Sequence, residues 1–221
     1  TGFVKDVADA VVKSAPADLD ALLAAPYPNS DKTVGEMIPE KVLVIGENLK
    51  VRRFARYCTG VTVPYIHMAG RIGVLVNMEV EGIEASAVTE LGKDLCMQVA
   101  AMNPSFCDKA DVDQSTLDKE KEIQLALMDN DPKMASKPLQ VKEKIVLGKM
   151  SKYYEENCLM QMEFVKEKGV SVEQHVAAVA KELGGKIAVK SFVRFERGEG
   201  IEKKEEDFAA EVAAQMNMGK H

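Results

Sequence analysis

Apolar residues recur at three- and four-residue steps from the start of the chain. Phe3, Val4, Val7, Val11 and Val12 share one side of a helical wheel, opposite Lys5, Asp6, Asp9 and Lys13, which predicts an amphipathic helix over residues 3–14. A short helix is expected from Asp18 to Ala24, between Pro16 and Pro26, and Pro26-Tyr27-Pro28-Asn29-Ser30 reads as a surface connection. Thr33 suits an N-cap for a helical stretch interrupted by Pro39 and ended by Gly46. The alternation then shortens to two. Leu49 to Tyr57 reads as a half-buried strand and Arg71 to Val80 as a stronger, β-branched one. The two are expected to pair antiparallel through the connection Gly60 to Gly70.

Helical spacing returns over residues 84–102, with Leu91, Leu95, Val99 and Met102, and stops before Asn103-Pro104. Residues 113–157 are charged, lack a strand-like run, and divide at Asp129-Asn130-Asp131-Pro132 and near Pro138, a pattern for two helices folded as a hairpin. Val141, Ile145, Gly148 and Tyr153 or Lys152 form its expected apolar stripe, serving either a packed lid or an interaction arm. Cys158 to Val165 is strand-like, and Ser171-Val172-Glu173-Gln174 is a capping box opening a helix that Gly184-Gly185 stops. Ile187 to Arg197 is a further strand, and a last helix is expected over roughly Glu205 to Met216.

One offset relates the chain to itself. Shifted by 138 positions, residues 33–60 lie over residues 171–198 with Val34/Val172, Gly46/Gly184, Val51/Val189, Phe54/Phe192, Arg56/Arg194 and Gly60/Gly198 identical. Each copy reads as cap, amphipathic helix, glycine stop and strand, one supersecondary unit used twice. The predicted fold is therefore α+β: two pseudo-repeated subdomains with small antiparallel sheets and flanking helices, plus an inserted helical hairpin. The expected boundaries are 1–112, 113–157, 158–204 and a C-terminal helix at 205–221.

Composition narrows function by exclusion. With 29 Lys and Arg against 35 Asp and Glu the formal charge is -6, against direct nucleic-acid binding as the main role. No apolar run approaches the roughly 18 residues of a spanning helix, so no membrane partner is expected. Cys58, Cys96, Cys107 and Cys158 match no metal-knuckle or CxxC spacing and read as reduced thiols, and His67, His175 and His221 form no HxxxH pair. Phosphate-loop and nucleophile-elbow signatures are absent, and the acidic run Glu202 to Asp207 reads as a solvated helix start. No cofactor, metal or catalytic residue is expected. The chain reads as a protein that acts by binding, and since it opens at Thr1 without Met, an upstream segment is expected outside this sequence.

Four strings in order go further: Val44-Ile45-Gly46-Glu47-Asn48-Leu49-Lys50-Val51-Arg52-Arg53-Phe54, Tyr65-Ile66-His67-Met68 leading into Gly70-Arg71-Ile72-Gly73-Val74-Leu75, Met97-Gln98-Val99-Ala100-Ala101-Met102-Asn103-Pro104, and Val193-Arg194-Phe195-Glu196-Arg197-Gly198-Glu199-Gly200-Ile201-Glu202-Lys203. With the ending Asp207-Phe208-Ala209-Ala210-Glu211-Val212, they resemble translation elongation factor Ts over essentially the whole chain. The resemblance implies two related α+β subdomains and a hairpin that supports dimerisation in some members, so a homodimer through it is an expectation. It also implies guanine-nucleotide exchange on elongation factor Tu in a bacterial cytoplasm, or in an organelle stroma or matrix.

Contact residues carry over only where the residues match. Ile45 and Gly46 resemble the turn that touches the GTPase's nucleotide domain, His67 the family's partner-reaching histidine, and Phe164-Val165 an apolar contact with the partner's far domain. Phe54, Phe192 and Phe195 are expected in sheet packing. The family's Thr-Asp-Phe-Val motif, whose phenylalanine wedges near the magnesium site, is not found intact: Thr1-Gly2-Phe3-Val4 has glycine for aspartate, and Gly2-Phe3 better matches the Gly-Phe that follows that motif. The family's N-terminal ubiquitin-associated-like module is missing as well. The alternative reading is a non-exchanging structural paralogue that binds the ribosome or another partner through the same core.

Overall fold

The computed structural model describes residues 2–200, which divide into two compact units. One comprises the stretches up to Val63, Val76–Gly92 and Glu173–Val193; the other comprises Pro64–Leu75, Lys93–Val172 and the stretch from Arg194. The expected helix over Glu205 to Met216 lies outside the described residues.

In the first unit, α1 (Gly2–Ser14), α2 (Leu19–Ala24) and α3 (Val34–Ile45) share a core of Val7, Ala10, Val11, Leu22, Tyr27 and Val34. Asp18 caps α2, its Oδ1 accepting from the Ala21 amide at 2.8 Å. The Tyr27 hydroxyl donates to Asp6 Oδ2 at 2.6 Å, so the polar edge of this core is satisfied. Thr33 and Glu36 form the capping box of α3, which runs unbroken through Pro39. Gly46 ends it at φ +77°, where a side chain would be strained.

The α+β class holds, with one three-stranded sheet among the described residues: β1 (Val61–His67), β2 (Ile72–Glu81) and β3 (Lys186–Glu196), in the order β1-β2-β3. Lys186 pairs with Glu81, while the Arg197 amide donates to the Arg71 carbonyl at 2.8 Å. Rising numbers on one strand meet falling numbers on its neighbour, so β2 and β3 run antiparallel. Central β2 is the apolar one, burying Ile72, Val74, Val76 and Met78.

Two strand expectations are corrected. Residues 49–57 form no strand, and β2 pairs instead with 61–67, the stretch read as a connection. Pro64 hid that strand: proline cannot donate to a ladder, but β1 is an edge, where the missing donor is tolerated. Phe54 accordingly packs against the α1–α3 core, not on the sheet, and Phe192 and Phe195 are half-buried on β3. Cys158 to Val165 is also not a strand. It is a buried irregular segment making single bridges at Phe106↔Cys158 and Glu163↔Ser171, with Leu159, Met162 and Phe164 in the interior.

The repeat is visible in part. α3 and α8 (Val172–Glu182) both close on a left-handed glycine, Gly46 and Gly184, but only the second copy continues into a strand. Helix α4 (Thr89–Met102) buries Leu91, Leu95 and Val99, as its spacing predicts, but Met102, expected on the same face, is exposed at the helix end.

In the second unit, α5 (Gln114–Asn130), the one-turn α6 (Pro132–Ala135) and α7 (Leu139–Asn157) form the expected hairpin. Its seam is Met128, Val146 and Met150, supported by Leu117, Leu125, Met134, Ile145 and Tyr153. Val141, expected in the stripe, is exposed; the seam instead takes the i, i+4, i+8 line Lys142, Val146 and Met150. Lys142 belongs there because its buried ammonium donates to Asp129 Oδ1 at 2.6 Å and to the Ala135 carbonyl at 3.0 Å, tying the tip.

Candidate partner-binding surface

The C-terminal turn of α3 leaves its apolar residues in water. Leu43 is 85% exposed, Val44 84% and Ile45 51%. Three successive helical residues span about 200° of the cylinder, so more than half of this helix end is bare hydrocarbon. The Gly46 amide closes the turn on the Val42 carbonyl at 2.8 Å, and no atom lies within 4 Å of where a Gly46 side chain would stand. The open glycine lets another backbone approach beside the apolar run.

His67 ends β1, half-buried, between exposed Ile66 and Met68. The Tyr65 hydroxyl and His67 Nδ1 lie 3.0 Å apart with ring centroids at 5.7 Å, which holds the imidazole in place through Nδ1. Three consecutive residues with positive φ follow: Met68 at 49°, Ala69 at 52° and Gly70 at 91°. Only the last is a glycine, so the turn beside His67 carries backbone strain. Arg71 anchors it, its amide donating to the His67 carbonyl at 3.1 Å and its Nε to Glu196 Oε1 at 3.2 Å. Arg194 holds the other carboxylate oxygen at 2.9 Å; that bond first, and then Arg71, leave the Glu196 carboxyl below its usual range despite the opposing effect of desolvation.

Phe164 and Val165 part company. Phe164 is 3% exposed and faces the interior, whereas Val165 is 47% exposed. Val165 is the second residue of a turn that the Glu167 amide closes on the Phe164 carbonyl at 3.0 Å, which carries its side chain away from the interior that Phe164 fills. Of the expected pair only Val165 faces solvent, and Phe164 is a core residue. Ile45 and Gly46 belong to the first unit; His67, Phe164 and Val165 belong to the second.

Among the described residues no group of three or more His, Cys, Asp or Glu could hold a metal ion. One open hollow is lined by Glu120, Gln124, Lys149, Lys152, Tyr153 and Glu156, and another by Pro16, Leu19, Arg52, Arg53, Phe54 and Arg56 among others; both mix polar and apolar walls. Burial, and then the nearby Asp111 and Asp108 charges, push the Cys107 thiol up to about 12; burial and the same pair push Cys158 to about 11. Both stay protonated at neutral pH and are poor nucleophiles.

The family model for elongation factor TS matches residues 1–199. The chain is 43% identical to Elongation factor Ts of Clostridium kluyveri over 217 residues, covering 97% of this chain and 69% of that protein. It is 44% identical to that of Clostridium perfringens over 214 residues, 96% of this chain and 69% of the relative. The chain belongs to the elongation factor Ts family. It is thus a translation elongation factor by descent, and no described helix is long and apolar enough to cross a membrane.

Within this chain the structure adds residues that spacing did not single out. Leu43 and Val44 are marked only by their exposure. Asp94 and Gln98, four apart on α4, were visible only as a polar interruption of a buried face: Gln98 is fully buried yet bonded through both ends of its amide.

Proposed function

We propose that this chain binds elongation factor Tu in its GDP form and speeds GDP release so that GTP can rebind. The observation that carries the reading is the bare Leu43-Val44-Ile45 run ending at the open Gly46, at the place where the family resemblance puts a contact with the GTPase. His67 and Val165 supply two further contacts, one a ring nitrogen on a fixed imidazole and the other an apolar side chain on a fixed turn. Exchange of this kind makes no bond. It requires tighter binding to the nucleotide-free GTPase than to the GDP form, and by linkage GDP then weakens the exchange factor's grip by the same factor.

Mixing the chain with elongation factor Tu loaded with a fluorescent GDP analogue tests the reading: release accelerates in proportion to added chain. Binding without acceleration favours the non-exchanging paralogue, and no binding refutes the contact assignment. In this reading residues 113–157 form an arm inserted between subdomains 1–112 and 158–204. Ile123 and Leu127, one turn apart on α5, and Leu147 on α7 stay exposed and suit self-association through that arm, which concentration-dependent mass in sedimentation checks. The bacterial relatives favour a bacterial cytoplasm over an organelle.

A further inference from the structure

We infer that Gln98, a buried residue of α4, is a positioning residue that sets Val165 toward the partner; this rests on the reading of Val165 as a contact. The Gln98 Nε2 donates to the Glu163 carbonyl at 3.0 Å, and its Oε1 accepts from the Val165 amide at 2.8 Å. One side-chain amide thus brackets Phe164, engaging the carbonyl before it and the amide after it. The groups between them are also satisfied, the Phe164 amide donating to the Val170 carbonyl at 2.8 Å and the Glu167 amide to the Phe164 carbonyl at 3.0 Å.

A second tie lies one helical turn away on the same face of α4. Lys166 Nζ reaches Asp94 Oδ1 at 2.5 Å. Glu163 Oε1 accepts from the Gly169 amide at 2.6 Å, and Gly169 takes a positive φ that closes the turn. Residues 163–170 therefore hold one shape with Phe164 inward and Val165 outward. An apolar side chain already fixed in its bound position avoids the ordering entropy that a mobile one loses on docking, so its contact counts in full.

A double-mutant cycle tests this on the whole chain, with affinity for nucleotide-free elongation factor Tu and melting temperature both read. Val165→Ala is expected to weaken binding about tenfold, and Gln98→Leu about as much. If Gln98 acts through Val165, Gln98→Leu in the Val165→Ala background costs less than about twofold in affinity, while its drop in melting temperature is unchanged. An equal affinity loss in both backgrounds overturns the inference, and so does a folded Gln98→Leu protein that binds normally; the Val165 reading survives either result. Unchanged binding of Val165→Ala overturns the Val165 reading itself and the inference with it. Should Gln98→Leu fail to fold, Gln98→Glu keeps an acceptor for the Val165 amide and loses the donor to Glu163; the same non-additivity is expected, and additivity overturns the inference.

Discussion

Leu43 offers a sharp separation between a docking residue and a structural one. The perturbation is Leu43→Gln, which preserves helix propensity while removing the branched hydrocarbon. Burying a whole leucine side chain is worth about 1.5–3 kcal/mol. At 85% exposure almost none of that is used in the free chain, so docking can recover roughly 1.3–2.5 kcal/mol. Glutamine keeps part of the aliphatic stem, which leaves an expected loss of about 1–2 kcal/mol, or 5- to 30-fold in Kd for elongation factor Tu. Fold stability should stay within about 0.5 kcal/mol, because a solvent-exposed substitution breaks no native contact. Calorimetric titration gives the first number and thermal unfolding the second. An unchanged Kd would mean that the bare end of α3 stays wet in the complex, and a large fall in Tm would mean that Leu43 is packed; either refutes the reasoning.

Other outcomes follow from the same geometry. Gly92 sits inside α4, where propensity alone says alanine stabilises by about 1 kcal/mol. A Cβ there would meet Val63 Cβ at 2.7 Å and Met78 Cε at 3.0 Å, so Gly92→Ala should instead destabilise by about 1–2 kcal/mol net in a denaturant titration; stabilisation would deny the close approach of helix and sheet. Ala69→Gly should gain about 0.5–1 kcal/mol, the left-handed cost of about 1–2 less the extra entropy of an unfolded glycine, and a loss of stability would mean that the turn is unstrained. Exposed Cys58 should react with a thiol reagent at pH 8 well before buried Cys96, Cys107 and Cys158, and a second fast thiol would contradict the burial. Because folding raises the Cys107 and Cys158 pKa values from the ordinary 9.0 to about 12 and about 11, the unfolded chain loses protons that the folded chain keeps. The stability this represents is complete below pH 9 and falls as pH climbs through 9 toward 12; stability that rose over that range would reverse the sign.

Helix ends were legible because their signals are local. Asp18, Thr33 with Glu36, and Gly46 each act through atoms within four residues, so sequence spacing carries them intact. Strand identity was less legible, because pairing is settled by a neighbour far along the chain. Val51 to Tyr57 alternates like a strand and takes no ladder, while Val61 to His67 contains proline and does, since an edge forgives the lost donor. The hairpin stripe shifted because the seam takes Lys142 in place of Val141, and only the Asp129 and Ala135 partners explain the burial of a lysine there. At the candidate surface, the resemblance pointed to Ile45, Gly46, His67, Phe164 and Val165, of which Phe164 proves to be buried. The exposure of Leu43 and Val44 and the two-ended bonding of Gln98 depend on what the rest of the chain leaves uncovered, which no short window contains.

Nucleotide exchange by binding reduces to a difference between two affinities. Titrating the chain calorimetrically into nucleotide-free elongation factor Tu, and separately into its GDP complex, measures that difference. Tighter binding to the nucleotide-free form, by the roughly 5- to 150-fold range typical of such coupling, is the predicted result. Equal affinity for the two forms, or tighter binding to the GDP complex, would contradict exchange as the function of this chain.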